Sequence, residues 1–409
     1  MSSTQVCRFL FLPKKCDRTS TISCCDKLCK SKKHVFSPSY PQVFSTLDFL
    51  QKPLFTKLFY AFWAHTANFH QKSLICYTCI TMTSPEKIER SLDANLRPNS
   101  WDEYIGQTPI KQNLHILIQA AESRGHVAEH ILFYGPPGLG KTTLAHLIAR
   151  ETGRSMKITS GPAIEKVGDL ASILTNIQPG DIVFIDEIHR LNKMIEEVLY
   201  PAMESGVLDI IIGKGPSART LQLELPAFTL IAATTRPSLI SSPLRSRFSG
   251  GTFKLEFYDY DEMTEIVRRS AERLGISIDM DAMRIIAERS RRTPRTANYF
   301  LKRVRDYAEV HQVTHIDVLT VEKALEMIGV DTIGLSSSDR LLLKTLVEKF
   351  DGGPVGVKTL AAATGEEEDT IEEVIEPYLI QTGLLEKTPR GRIATEKAYD
   401  HLGVAYVKD

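Results

Sequence analysis

Cysteine is the most informative absence in this sequence. All seven cysteines lie before residue 82, and the rest of the chain has none. The region from residue 82 onward therefore has no disulfide, no cysteine-ligated metal site and no catalytic thiol. The chain also lacks an uninterrupted apolar run of about 18 residues, the length that a membrane-spanning helix needs. The sequence thus argues against a transmembrane protein.

Net charge is absent as well, because 50 Lys and Arg balance 50 Asp and Glu. Residues 1–81 nevertheless carry eleven Lys and Arg, three Asp and no Glu, and the remaining residues have a net formal charge of −8. An acidic body binds nucleic acid only through a local basic patch, so the overall charge identifies no partner. The length of 409 residues exceeds one compact core and predicts about two to four domains.

Residues 1–81 show neither a strand period nor a helical period. Their basic, hydroxyl-rich and acid-poor composition is typical of an organelle-targeting segment, but they contain no Arg-rich amphipathic helix. Their cysteine pairs are too irregularly spaced for a usual zinc site. Met82 is the first methionine after Met1, and a globular pattern starts just beyond it. We interpret residues 1–83 as a dispensable or non-native extension, with a targeting segment or a binding tail as alternatives.

The strongest motif is the glycine-rich stretch FYGPPGLGKTT, residues 133–143. It fits G-x-x-x-x-G-K-[ST], in which backbone N–H groups surround phosphates, Lys141 reaches the β and γ phosphates, and Thr142 binds Mg²⁺. An apolar run before the motif and helical spacing after it predict strand, loop and helix N-terminus in the order that a phosphate site requires. The predicted nucleotide-binding residues here are Gly138, Gly140, Lys141, Thr142 and Thr143.

Polar residues end two further apolar strands. The run DIVFIDEIHRL ends on two acids, at the strand end where open α/β sheets bind ligands. Asp186 can hold Mg²⁺ through water, and Glu187 can orient and polarise an attacking water. The strand at residues 228–235 ends in threonines that suit a water-binding or γ-phosphate-sensing role, or simply end the strand. The following SSPLRSRF carries two arginines, which are either solvated or include one that reaches a neighbouring subunit's nucleotide.

Residues 208–226, LDIIIGKGPSARTLQLELP, predict a β-hairpin because an isoleucine run and an alternating leucine run flank a Gly-Lys-Gly-Pro turn. Three consecutive isoleucines cannot all face one side of a strand. Some apolar surface of the hairpin must therefore contact either the body of the protein or a partner.

A helical region follows. Residues 261–275 predict an amphipathic helix that stops at Gly275, a second helix starts near Asp279, and a third starts near residues 293–295. Arg295 opposes the helix dipole in that first turn, at a cost of some tenths of a kcal/mol that a γ-phosphate contact would offset. A plain surface arginine is the alternative. A further helix is expected within residues 309–329.

The C-terminal residues predict a winged-helix domain. Helices capped by Ser338 and Asp339, then at residues 357–364 and 367–382, precede a strand, a basic turn and a strand. The predicted wing carries Lys387, Arg390 and Arg392, a basic group of the kind that contacts DNA phosphates, or else a solvated hairpin. Acidic residues 366–369 should face away from DNA.

Together these features resemble the AAA+ ATPases over nearly all of residues 90–330. A closer resemblance, to the RuvB family of bacterial Holliday junction branch-migration motors, extends to the C-terminus. It is carried by GPPGLGKTTLA, FIDEIHRL, EEVLYPAME, SPLRSRF and TPRTAN. The resemblance implies further site residues, namely Leu96 and Arg97 by the base, Tyr258 beside the nucleotide, Thr235 as first sensor, Arg295 as second sensor and Arg247 as the arginine finger.

The same resemblance implies partners and cofactors. ATP and Mg²⁺ would be bound between subunits of a homo-hexamer, which would act on duplex DNA and four-way junctions in the bacterial cytoplasm. RuvA would dock on the hairpin around residues 208–223, and RuvC would join the same complex. The sequence departs from the family at Ser249-Gly250-Gly251, which is one residue longer and leaves the geometry between Arg247 and Tyr258 open.

The predicted fold class is α/β, with an AAA+ P-loop parallel-sheet domain, an all-helical lid and a C-terminal winged-helix domain. The predicted boundaries are 84–257, 258–329 and 330–409. Two other functions remain compatible with the sequence. A clamp-loader-like or remodelling ATPase would share the body but should lack the basic wing and the apolar hairpin. A nucleotide-gated transcription regulator would read bases with its third helix, which is too acidic here to favour that function.

Overall fold

The structure is a computed structural model that describes residues 95–212 and 219–406, with only the backbone of residues 211 and 212. These residues belong to one compact unit, Ser84–Asp409. The predictions made for residues 1–83 therefore lie outside the described part of the chain. None of the described helices combines the length and hydrophobicity that a bilayer crossing requires.

Within residues 95–212 and 219–406, nine strands form three sheets. They are β1 (Ile131–Tyr134), β2 (Met156–Ser160), β3 (Ile182–Asp186), β4 (Val207–Ile212), β5 (Arg219–Glu224), β6 (Thr229–Thr234), β7 (Gly251–Lys254), β8 (Leu385–Thr388) and β9 (Gly391–Ala394). The main sheet is parallel, in the order β2-β3-β6-β1-β7. Its central strands are apolar on both faces because helices cover both, as a parallel sheet requires.

The helices of the sheet domain connect these strands. They are α1 (Thr108–Ser123), α2 (Lys141–Glu151), α3 (Val167–Thr175), α4 (Lys193–Glu204) and the short α5 (Ser242–Arg245). Strand β1 lies between β6 and β7, so the loop from β1 to α2 emerges between the ends of these two strands. The predicted strand, glycine loop and helix are confirmed in that order.

The predicted hairpin is formed by β4 and β5, which pair antiparallel from Val207 opposite Glu224 to Ile212 opposite Arg219. Leu208 is buried, and Ile210 and Leu223 pack partly against the core of the sheet domain. Leu221 remains exposed. One apolar face of the hairpin thus packs on its own domain while part of its leucine run contacts solvent.

The lid contains α6 (Tyr260–Leu274), α7 (Met280–Arg289), α8 (Pro294–Val310) and α9 (Val318–Met327). Helix α6 begins because the Asp259 carboxylate accepts the Glu262 N–H, and it ends at Gly275, whose φ is 66°. The last helix is shorter than residues 309–329 would allow, because Gln312 has a left-handed φ and Asp317 caps a new start.

The C-terminal domain contains α10 (Ser337–Phe350), α11 (Val357–Thr364), α12 (Glu368–Thr370), a π-helical turn (Ile371–Ile375), α13 (Glu376–Gln381), the β8–β9 wing and α14 (Glu396–Leu402). We call residues 368–381 the acidic helix. The cap of α10 is Ser336 and not Ser338, because Ser336 and Asp339 exchange hydrogen bonds around the first turn. Three helices and a wing confirm the predicted winged-helix domain, and the predicted fold class is confirmed with it.

Candidate functional site

A cavity of about 510 Å³ lies where the β1–α2 loop, the ends of β3 and β6, and the lid meet. Its walls bring together residues that are far apart in the sequence. Twelve of the residues predicted for the nucleotide line it, namely Leu96, Arg97, Gly138, Gly140, Lys141, Thr142, Thr143, Asp186, Glu187, Thr235, Tyr258 and Arg295.

The glycine loop has a shape that only glycine accepts at its critical points. Gly138 has φ 84°, and a Cβ there would lie 3.0 Å from the Cβ of Arg295. Gly140 has φ 101° directly before α2, and its Cβ would lie 2.8 Å from the Tyr104 hydroxyl. These glycines let the backbone curve tightly at the N-terminus of α2, where N–H groups and the helix dipole attract an anion.

Lys141 is buried at the bottom of this loop. Its ammonium donates to the carbonyls of Gly135, at 2.7 Å, and Pro136, at 2.8 Å. Burial lowers the pKa of Lys141 to about 8, Asp186 partly opposes that shift, and Arg295 adds to it. The cation is thus held in the loop by carbonyls that a phosphate can replace.

The two acids occupy different positions at the end of β3. The Asp186 carboxylate accepts the Glu187 N–H at 2.9 Å, which fixes the turn between them. Glu187 has a left-handed φ of 48° and its carboxylate pairs with Arg190 at 3.3 Å. A non-glycine residue in this conformation is uncommon and is found often at functional sites. The two adjacent carboxylates therefore have different hydrogen-bond partners, although both residues line the cavity.

Thr234 is a site residue that the sequence did not identify. It is buried at the end of β6, and its hydroxyl bonds His189 Nδ1 at 3.0 Å, whereas the predicted Thr235 lines the cavity. Burial lowers the pKa of His189, so the ring remains neutral and serves as a hydrogen-bond partner. The end of β6 is therefore fastened to the turn that follows Glu187.

The lid contacts the phosphate loop directly. The Tyr258 hydroxyl donates to the Leu139 carbonyl at 3.1 Å, and the Arg295 N–H donates to the Gly138 carbonyl at 3.4 Å. Burial raises the pKa of Tyr258 to about 12, so its hydroxyl keeps its proton. Arg291 and Arg292 both have left-handed backbones immediately before α8. Two such residues in succession store strain near the site and indicate a constrained lid turn.

The predicted base side of the cavity includes Leu96, which is buried, and Arg97. Arg97 lies 3.0 Å from the ring of His146 on α2. Arg273 of the lid donates to the Arg97 carbonyl at 2.6 Å and pairs with Glu103 at 2.6 Å. The sequence carried no signal for Arg273, because it lies 176 residues from Arg97.

Arg247 does not line the cavity of its own chain. Its guanidinium pairs with Glu204 at 2.9 Å and lies over the ring of Tyr200, 4.7 Å from the centroid. The longer Ser249–Gly251 stretch is accommodated because the Gly250 N–H bonds the His130 carbonyl. Strand β7 then pairs normally with β1, and Tyr258 still reaches the cavity.

The wing corrects one prediction. Arg392 is buried, with Nε 2.5 Å from Glu376 and Nη2 2.8 Å from Glu372, so its charge is neutralised inside the domain. The predicted outward basic group of three is therefore wrong for Arg392. Lys387 is half exposed and shares the same two carboxylates, and Arg390 is exposed in the turn. Of these three described side chains, Lys387 and Arg390 have surface available for a phosphate and Arg392 does not.

Comparison with known proteins extends this description. Residues 96–254 match the model of the Holliday junction DNA helicase RuvB P-loop domain, residues 258–331 the RuvB AAA lid domain, and residues 332–403 the RuvB C-terminal winged helix domain. The Holliday junction branch migration complex subunit RuvB of Thermomicrobium roseum is 57% identical over 327 residues, covering 80% of this chain and 92% of that protein. The corresponding Dehalococcoides mccartyi subunit is 56% identical over 321 residues, covering 78% and 92%.

A solved structure of the Thermotoga maritima RuvB Holliday junction branch migration motor is similar to this one. It has 48% sequence identity and a TM-score of 0.70, and the match covers 76% of this chain and all of that one. The identity exceeds half of the aligned residues in two relatives, and all three domain models match in order. The chain therefore belongs to the RuvB family of AAA+ ATPases.

Proposed function

We propose that this protein is the ATP-driven motor of Holliday junction branch migration in recombination and DNA repair. The observation that carries the proposal is the cavity, in which phosphate loop, acid pair and both sensor positions meet beneath a lid that continues into a winged-helix domain. The relatives named for branch migration align with this chain over 92% of their own length. We retain 84–257, 258–329 and 330–409 as the domain boundaries.

Hydrolysis is assigned to the residues that line the cavity. Lys141 and the N–H groups before α2 bind the phosphates, and Arg295 and Thr235 lie where the γ-phosphate would be sensed. Glu187 polarises the attacking water. Thr142 and Asp186 offer a hydroxyl and a carboxylate, the hard oxygen ligands that Mg²⁺ prefers, so this donor set fits the ion. Mg²⁺ would supply charge neutralisation for the phosphates.

The ring is inferred from Arg247. Its guanidinium lies outside the cavity of its own chain, beside Glu204 and Tyr200, and this position suits it to act on another subunit's nucleotide. An arginine supplied in this way stabilises the transition-state charge. A closed ring gives every subunit such a neighbour, and we propose a homo-hexamer.

The DNA contacts and partners follow from the exposed surfaces. Lys387 and Arg390 on the wing would contact phosphates of duplex DNA without sequence preference. The exposed Leu221 leaves apolar hairpin surface for RuvA around residues 208–223. RuvC would act in the same junction-processing complex. We propose that the protein acts on the chromosome in the bacterial cytoplasm.

The test is migration of a synthetic four-way junction by the purified protein with ATP and Mg²⁺, with and without RuvA. We expect migration that depends on RuvA and on ATP. A chain that begins at Met82 should migrate junctions equally well. Replacement of Lys141 by Ala should abolish migration, because the phosphates lose their cation.

One outcome would reject the proposal. If the protein hydrolyses ATP but moves no junction in the presence of RuvA of verified activity, branch migration is excluded. A clamp-loader-like remodelling ATPase would then explain the shared body. Sequence-specific binding of linear duplex, competed poorly by other sequences, would instead indicate a transcription regulator.

The low pKa of Lys141 predicts a pH-dependent affinity for nucleotide. Bound phosphates stabilise the ammonium and raise its pKa again, so binding must take up a proton wherever the free protein has lost it. Affinity is therefore full below the free-protein pKa of about 8 and declines above it. We expect the Kd for a non-hydrolysable ATP analogue to rise about tenfold between about pH 7.5 and about pH 9.

Calorimetry in two buffers of different ionisation enthalpy would measure the proton uptake directly. The matched control is Lys141→Arg, whose guanidinium stays protonated throughout this range. Its affinity, although weaker, should not change with pH. A wild-type Kd that stays constant up to about pH 9 would contradict the lowered pKa of the buried Lys141.

A further inference from the structure

The acidic helix of the winged-helix domain pairs with two groups of cations, one in the sheet domain and one in the wing. Asp369 and Glu373 pair with Arg236, which follows Thr235 in the sheet domain; the Arg236–Asp369 distance is 3.1 Å. This is an ion pair between residues 133 positions apart in the sequence. The helix that the winged-helix motif would place near DNA therefore directs two carboxylates at the ATPase domain.

The same face of the helix also carries the carboxylates that meet the wing, because Glu372 and Glu376 follow Asp369 and Glu373 at a spacing of three residues. The carboxylates of Glu372 and Glu376 form ion pairs with both Lys387 and Arg392. Lys387 is half exposed, at 3.3 Å from Glu372 and 3.4 Å from Glu376. A DNA phosphate at the wing would compete with these carboxylates for Lys387 and would repel the acidic helix.

Arg236 is connected to the hydrolysis site through its own backbone. Its N–H donates to the Thr234 hydroxyl at 3.0 Å, and that hydroxyl bonds His189 at 3.0 Å. His189 lies in the turn Ile188–Arg190, which directly follows Glu187. A continuous series of contacts therefore leads from the acidic helix to the residue assigned to activate water.

The ion pairs in this series are suited to opening and closing. The side chains of Arg236 and Glu373 are 29% and 35% exposed, and Asp369 is 77% exposed. Pairs this accessible contribute about 0–1 kcal/mol to stability, so the fold does not depend on them. They can change with the position of the winged-helix domain without unfolding either domain.

We propose that Arg236 is the positioning residue through which DNA bound to the winged-helix domain changes the rate of ATP hydrolysis. Displacement of Asp369 and Glu373 moves Arg236, and Arg236 moves Thr234 and the turn that carries Glu187. The inference rests on the proposed function, since it requires an ATPase that responds to DNA. It adds the contact by which the response is transmitted.

The test compares wild type with the double variant Asp369→Asn, Glu373→Gln. Steady-state ATP turnover is measured without DNA and with duplex DNA at saturation, and the DNA Kd is measured separately by fluorescence anisotropy. Because this variant lacks the ion pairs that bound DNA would open, we expect its turnover without DNA to rise toward the DNA-stimulated wild-type rate, while the KM for ATP and the DNA Kd stay at wild-type values. DNA stimulation of kcat should fall by about fivefold or more.

The matched control is Glu367→Gln, Glu368→Gln. Both residues are exposed at the start of the same helix, neither pairs with Arg236, and the change in net charge is identical. The control should keep wild-type stimulation. An equal loss of DNA stimulation in both double variants would show a general effect of charge and would overturn the inference.

A charge exchange tests the pair itself. Arg236→Glu alone should lose DNA stimulation because it faces two carboxylates, and Arg236→Glu combined with Glu373→Arg should regain part of it. Failure of the combined variant to exceed the single one would overturn the inference, as would undiminished stimulation in the Asp369→Asn, Glu373→Gln protein. A wild-type protein that DNA does not stimulate at all would reject the proposed function, and the inference with it.

Discussion

Glu187→Gln should bind ATP normally and hydrolyse it about 10²- to 10⁴-fold more slowly than wild type, the range for loss of a positioned acid–base group. The amide has the size of the carboxylate but neither its charge nor its basicity, so it cannot polarise water. Folding should be unaffected, because the exposed pair of Glu187 with Arg190 contributes little to stability. Single-turnover hydrolysis of ATP, with binding of a non-hydrolysable analogue measured in parallel, separates the two effects.

Glu197→Gln is the matched control. Glu197 is an exposed glutamate on α4, outside the cavity, and its replacement should leave turnover unchanged. A Glu187→Gln protein that hydrolyses ATP at the wild-type rate would show that another group activates the water. Loss of analogue binding in Glu187→Gln would show instead that the carboxylate contributes to nucleotide binding before hydrolysis.

Arg247→Ala should lose about 10³- to 10⁵-fold in kcat, the usual worth of an arginine finger. Nucleotide binding to the same chain should persist, because Arg247 lies outside its own cavity and pairs with Glu204. Steady-state turnover at saturating ATP measures the loss. Arg245→Ala is the control from the same motif, since Arg245 is exposed at the end of α5, and it should retain activity.

Mixing two inactive variants tests whether Arg247 acts on a neighbour. A site formed by Glu187 of an Arg247→Ala subunit and Arg247 of a Glu187→Gln subunit is complete. Random assembly of equal amounts into closed rings makes about one quarter of all sites complete, so activity should return to a comparable fraction. No recovery in rings of verified mixed composition would mean that Arg247 acts within its own chain.

The nucleotide site was largely predictable because its chemistry lies in short, local patterns. Glycines at fixed offsets before Lys141 define the loop, and an apolar run ending in Asp186 and Glu187 puts both acids at the end of a parallel strand. The sequence pattern did not distinguish the roles of the adjacent Thr234 and Thr235. The sequence offered Thr235, whereas the structure assigns a structural hydrogen bond to the adjacent Thr234.

The wing shows why a local pattern was insufficient elsewhere. Lys387 and Arg392 are paired opposite each other in the β8–β9 hairpin, so their side chains share one face. Which face of a two-stranded hairpin is covered depends on the helix packed against it. Here that helix supplies Glu376, which pairs with the buried Arg392, while Arg390 in the turn remains exposed.

By itself the sequence determined an ATPase with a phosphate loop, an acid pair, a helical lid and a winged-helix domain, because each depends on residue type at short spacing. The tertiary structure decided which charges meet. Arg273 contacts the carbonyl of Arg97, which lies 176 positions away in the sequence. Arg236 pairs with Asp369, which lies 133 positions away. No periodicity links such residues, since their proximity results from the packing of separate domains, and those contacts connect the lid and the winged-helix domain to the elements that form the candidate nucleotide site.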